Sequence, residues 1–124
     1  MALTAAGLKY ITNAIVGQGT PFNSANAYLG VGNGREAFNP AQTDLQGTSI
    51  RKKVDSGYPI VTAPTLTFKA TFEPTEANFS WNEWGLFNAA TGGVMLSRTV
   101  QSIGTKNSTQ TWILEVDITF GTDN

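Results

Sequence analysis

From Thr111 to Phe120 the chain sets an apolar side chain at every second position: Trp112, Leu114, Val116, Ile118 and Phe120. Thr111, Glu115, Asp117 and Thr119 stand between them. Successive strand residues point to opposite faces, so this run lays one face on a core and the other in water. A helix would scatter the same five residues around its circumference. The chain therefore holds a long half-buried strand and needs a sheet to receive it.

A second run supplies one. Leu66, Phe68, Ala70 and Phe72 alternate with Thr65, Thr67, Lys69 and Thr71, again one buried face. Phe79 to Asn88 carries apolar groups on both faces, with Phe79, Trp81 and Phe87 on one and Trp84 and Leu86 on the other, the pattern of a strand covered on both sides. Thr91-Gly92-Gly93 makes a turn, and Val94 to Val100 returns as the hairpin partner. A shorter strand is expected at Ala27–Val31, ended by Gly32-Asn33-Gly34.

One helix is expected, over residues 3–16. Leu8, Ile11 and Ile15 give it a narrow apolar face, Thr4 is placed to cap it and Gly17 to end it. The 124 residues suit a single domain, 1–124. The expected fold is mainly β: a small antiparallel β-sandwich or flattened barrel of four or five strands, within residues 65–120 for the most part, with one N-terminal α-helix. Its core is expected to hold Leu66, Phe68, Phe72, Trp81, Trp84, Trp112, Leu114, Val116 and Ile118.

Composition narrows the chemistry. The chain has no Cys and no His, so disulfides, thiolate nucleophiles, Cys/His zinc sites and imidazole bases are excluded. A nucleophilic serine would lack its usual activating base. Eight basic and nine acidic residues give a net charge of −1, with no general attraction to nucleic acid or an anionic membrane. Lys9 interrupts the start, so it does not read as a secretory signal, and no run approaches the ~20 apolar residues of a membrane span. The expectation is a soluble product made in the cytosol, with no cofactor, metal or small-molecule substrate.

Several constellations invite a chemical reading. Gly30-Val31-Gly32-Asn33-Gly34 lacks the spacing of a dinucleotide fingerprint, and no Gly-Lys-Ser/Thr follows, so it reads as a turn. Glu73/Glu76 and Glu115/Asp117 are acid pairs of the kind that bind calcium or cleave glycosides, but neither sits in a recognisable ligand loop. Glu83 lies between Trp81 and Trp84. A carboxylate on that face needs a partner, and Arg98 on the following strand is placed to form a structural ion pair; a catalytic acid of raised pKa is the weaker reading. Trp84 is the aromatic best suited to stacking on a base or sugar, though strand aromatics are more often core.

Residues 33–58 are polar and turn-rich. A structureless loop of that length is uncommon in a compact domain and is usually functional or ordered by a partner. Arg35, Phe38, Arg51, Lys52, Lys53 and Tyr58 are its candidate interface side chains. Arg51-Lys52-Lys53 is the only basic cluster, and its plainer reading is a solvated loop or strand end.

The opening Leu3-Thr-Ala-Ala-Gly-Leu-Lys-Tyr-Ile-Thr-Asn-Ala-Ile15 and Tyr28-Leu-Gly-Val-Gly-Asn-Gly34 resemble the start of small tailed-bacteriophage virion proteins, tail-collar fibre domains among them. Ala37–Leu45, Ala77–Ala89, Gly92–Leu96 and the Gly104 to Trp112 segment are similar to a phage protein family. The resemblance implies a non-catalytic virion building block, assembled in the host cytoplasm. A tail fibre continues into a shaft and tip, whereas this chain stops after one domain, so a capsid decoration (cement) protein on the major capsid protein is the first expectation. A tail fibre, collar or baseplate component contacting tail proteins is the second. A homo-oligomer is expected in either case, a trimer favoured.

Overall fold

In a computed structural model, which describes residues 2–121, the two alternating runs pair with each other. Thr65 stands opposite Thr119 and Phe72 opposite Trp112, antiparallel throughout. The elements in chain order are β1 (Ala2–Leu3), α1 (Ala5–Ile15), β2 (Tyr28–Gly32), β3 (Ser49–Lys53), β4 (Ile60–Thr62), β5 (Thr65–Phe72), β6 (Ser80–Phe87), β7 (Met95–Thr105) and β8 (Trp112–Thr119). They form a five-stranded sheet of order β1-β7-β6-β2-β3 and a three-stranded sheet of order β4-β5-β8, both antiparallel. Neither sheet closes on itself, so the sandwich is adopted and not the barrel. The ends of the expected domain, residue 1 and residues 122–124, lie outside the described residues.

The core lies between the sheets. Phe68, Phe72, Leu114 and Ile118 of the smaller sheet pack on Leu29, Val31, Trp81, Leu86 and Leu96 of the larger. Trp81 meets Phe72 and Trp112 edge-on, each at 5.0 Å between ring centroids, the arrangement an aromatic quadrupole favours. Of the expected core residues, Leu66, Trp84, Trp112 and Val116 are half-buried at its margin. Phe120 falls just past β8 and is exposed, its N–H donating to Pro64 O.

Four expectations need correction. The strands number eight among the described residues, because β1, β3 and β4 are too short or too polar to show an alternation. The loop expected at 33–58 contains β3, which adds to β2 as an edge strand. The turn expected at Gly30–Gly34 is a turn only at its end, since Gly30 and Gly32 belong to β2, a strand paired on both sides.

The helix is the fourth. It spans Ala5–Ile15, inside the expected 3–16, because Leu3 belongs to β1; the expected ends hold, with Thr4 Oγ1 accepting from Gly7 N–H at 2.8 Å and Gly17 at φ 80° just past its end. Of the face expected to dock, only Ile11 packs against the core, whereas Leu8 is 53% and Ile15 81% exposed. Gly7 is the buried residue, and a Cβ there would run into the Leu96 carbonyl of β7. The helix approaches the sheet backbone to backbone, along its leanest side.

Candidate functional site

Asn82 breaks the alternation of β6. The register with β7 slips between Trp81 and Glu83, where Asn82 alone stands against residues 101–103, a bulge-like irregularity whose extra residues lie on β7. Trp81 therefore joins Leu86 and half-buried Trp84 in the core, whereas Glu83 turns to the outer face of the larger sheet. Phe87 lies on that outer side too, packed with Leu45 and Met95. The sequence reading placed Trp81, Glu83 and Phe87 on one face; the irregularity keeps Glu83 and Phe87 together and moves Trp81 to the other.

That outer face is floored by glycine. Gly30 stands opposite Gly85, and Gly32 opposite Glu83. With no side chains there, residues 33–48 lie flat across the sheet. Leu45, a lone leucine in a polar stretch, fills the trough: a Cβ on Gly30 would stand 3.2 Å from it and one on Gly85 3.3 Å. A Cβ on Gly32 or Gly34 would stand 2.5 Å from Glu83 Oε2.

The docked loop delivers its amides to Glu83. Oε2 accepts from Gly34 N–H at 3.0 Å and Gly47 N–H at 2.9 Å, and Gln46 N–H reaches Oε1 at 2.9 Å and Oε2 at 3.1 Å. Arg98 Nε donates to Oε1 at 2.8 Å, and both side chains are wholly buried. The structure thus brings together the two residues expected to pair, and adds the loop to the pair. Arg98 Nη1 donates to Gln42 Oε1 at 3.1 Å, while Nη2 is buried without a hydrogen-bond partner among the described residues. Burial acts to raise the Glu83 pKa. The Gln46 amide, the Arg98 guanidinium and the Gly47 and Gly34 amides outweigh it and hold the carboxyl below the usual carboxylate range. A group held ionised in this way is the reverse of a general acid poised near neutral pH.

Further bonds close the clasp. Asn82 Nδ2 donates to Asn33 O, and Asn33 Oδ1 accepts from Thr48 N–H. Ala5 N–H, at the start of α1, donates to Pro40 O. Thr4 Oγ1 donates to Met95 O at 2.5 Å. Loop, helix start and β7 are therefore one connected assembly about Glu83 and Arg98. The polar segment at 33–48 is ordered by its own chain, through groups that the sequence alone does not bring together.

The candidate interface residues are dispersed. Arg35 is exposed and Phe38 half-buried. The basic cluster is a strand, and alternation splits it. Arg51 and Lys53 stand opposite Gly30 and Tyr28 on the outer face, and Lys52 stands opposite core residue Leu29. The Arg51 guanidinium lies 3.6 Å over the Phe87 ring and donates to Ala89 O and Gly92 O, each at 2.9 Å. Lys52 Nζ pairs with Glu76 at 2.7 Å, and that hydrogen bond, followed by one from Glu73 N–H, holds the Glu76 carboxyl below its ordinary value. Lys53 is exposed, and Tyr58 packs against the core with the Lys69 ammonium 5.2 Å over its ring.

Of the acid pair on β8, Asp117 Oδ1 accepts from Thr67 Oγ1 at 2.7 Å, and Glu115 is exposed. Buried Lys106 donates to Glu73 O and Asn78 Oδ1, tying the 73–78 turn to the end of β7. Sequence reasoning missed Gln42, Leu45, Gln46, Gly47 and Gly85. Gly85 and Leu45 did carry signals, a glycine inside a doubly covered strand and a solitary leucine in a polar run. Compared with known proteins, the chain matches no family model and no curated sequence.

Proposed function

We propose that this chain is a non-enzymatic structural protein of a tailed-bacteriophage virion, a capsid decoration subunit that binds and stabilises the major capsid shell. The observation that carries the reading is the margin of the smaller sheet. Its β4 edge is exposed at every residue, with Val61 71% exposed, and Ile113 on β8 is 58% exposed. Unpaired strand edges bearing aliphatic side chains are surfaces that bind other protein chains. Meanwhile the acid best placed for chemistry is spent on holding the loop. A subunit touching several lattice neighbours needs only weak single contacts, because each contact raises the effective concentration for the next.

A second reading, a tail fibre, collar or baseplate component contacting tail proteins, is favoured by one particular. Tyr28–Gly34, which resembles tail-collar fibre domains, supplies the strand and glycines on which the loop docks. In both readings the protein resides in the virion and works as a homo-oligomer, a trimer in the simplest closed case. Quantifying the protein in purified intact particles tests this. On the order of hundreds of copies per particle supports decoration, and a handful at one vertex supports the tail. Particles devoid of the protein refute both.

A further inference from the structure

The larger sheet ends on β1 and β3 and the smaller on β4 and β8, and of these four edges β3 and β8 carry opposite charge. In β8 the even-numbered residues bond to β5, in the register that continues to Phe120 N–H and Pro64 O. Antiparallel alternation then turns the N–H and C=O groups of Ile113, Glu115, Asp117 and Thr119 outward. In β3 the bonds from Asn33 N–H to Thr48 O and from Val54 N–H to Ala27 O assign the even residues to β2. Ser49, Arg51 and Lys53 therefore present their backbone groups outward. Neither edge pairs with itself well. Two β8 strands in the fuller registers set Glu115 or Asp117 against another acid, and two β3 strands set Arg51 against Arg51 or Lys53. Like charges directly opposite are destabilising.

We infer that β3 of one copy adds to β8 of a second copy, antiparallel, with Lys53 opposite Glu115, Arg51 opposite Asp117 and Ser49 opposite Thr119. The faces agree. Ile50 and Lys52, opposite the core residues Val31 and Leu29, join the core side of β8, and the outward residues share the outer side. Space is present too. The smaller sheet stops short of β7, leaving grooves of about 300 and 410 Å³ between β8 and β7 residues that include Thr99, Gln101 and Ile103. The added strand lies over them, covering Ile50 and Ile103, which are exposed in the single chain. Arg51 stays on Phe87, so Lys53 and Glu115 carry the charge recognition. The contact joins unlike surfaces, so copies follow one another around a ring or along a filament, never across a twofold. It takes its purpose from the assembly reading above and its geometry from the two edges. Copy number in particles tests the first, and the following cycle tests the second.

Sedimentation of the purified chain at low salt, over a concentration series, reads the contact. The wild type self-associates, and added salt weakens it. Lys53→Glu and Glu115→Lys each weaken association by at least about tenfold. The double variant, with both charges exchanged, returns to within about threefold of wild type. An equimolar mixture of the two single variants also associates. Both positions are exposed, and circular dichroism confirms the fold; Lys53→Ala and Glu115→Gln give the same order in smaller steps. A chain monomeric at every concentration overturns the inference, as does a double variant no better than the singles. A response to Glu115→Lys without one to Lys53→Glu shows a twofold β8 contact, and overturns it equally.

Discussion

Glutamine in place of Glu83 keeps the shape of the side chain and removes its charge. The native carboxylate accepts from Arg98 Nε and from the amides of Gly34, Gln46 and Gly47. A carboxamide offers one oxygen to these donors, and its NH₂ must face either the guanidinium or the loop amides, donor against donor. With the NH₂ turned to the guanidinium, Arg98, wholly buried and with Nη2 unpartnered among the described residues, would keep only Gln42. Removing one half of a buried pair costs about 3–5 kcal/mol, a large part of the roughly 5–15 kcal/mol that holds a domain together. The melting temperature should fall by roughly 10–20 °C. Urea unfolding at pH 7, followed by tryptophan fluorescence, measures the cost. Hydrogen exchange at Gly34, Gln46 and Gly47 should accelerate more than exchange in β5. A loss below about 1 kcal/mol, or unchanged protection of those three amides, would refute the account of Glu83 as the anchor of the loop.

The same carboxylate sets an acid dependence. Its folded pKa is lowered, so its contribution is complete above the unfolded value of about 4.3 and is lost as pH falls through the lower folded value; wild-type stability should drop there, and Glu83→Gln should flatten the drop. Gly30→Ala places a methyl 2.8 Å from the Phe87 ring and 3.2 Å from Leu45, and should cost about 1–3 kcal/mol by displacing the loop, read as faster exchange at Leu45. Gly7→Ala should undock the helix, at more than about 2 kcal/mol, whereas Leu8→Ala should stay within about 0.5 kcal/mol; equal effects in thermal melts would contradict the glycine-faced packing. Phe68→Ala should cost about 3–5 kcal/mol, and half-buried Trp112→Ala distinctly less.

The sequence discloses what periodicity can encode. The β5 and β8 runs declare both their extent and their buried side, since a half-buried strand repeats every two residues. The Glu83–Arg98 pair was legible too, because an acid flanked by indoles needs a cation and the hairpin offered one. Three things were not. A register slip at Asn82, with the extra residues on β7, inverts the faces of β6 beyond it without changing composition. A helix docked through Gly7 is recognised by a missing side chain, while Leu8 and Ile15 draw attention to the wrong side. The loop's order depends on Gly30 meeting Gly85 across two strands, a non-local coincidence that no window along the chain contains.

Because the loop is fastened at Pro40 and Gln42 and again at Leu45 to Gly47, the exposed residues Arg35 and Glu36 form a slack span between Gly34 and the first tie. The host fold would accept foreign peptides grafted there. Grafts of equal length between Asp44 and Gly47 would unseat Leu45 from its trough. The molecule thus carries one ready mounting point for an epitope or affinity tag, a few residues from a position that tolerates none.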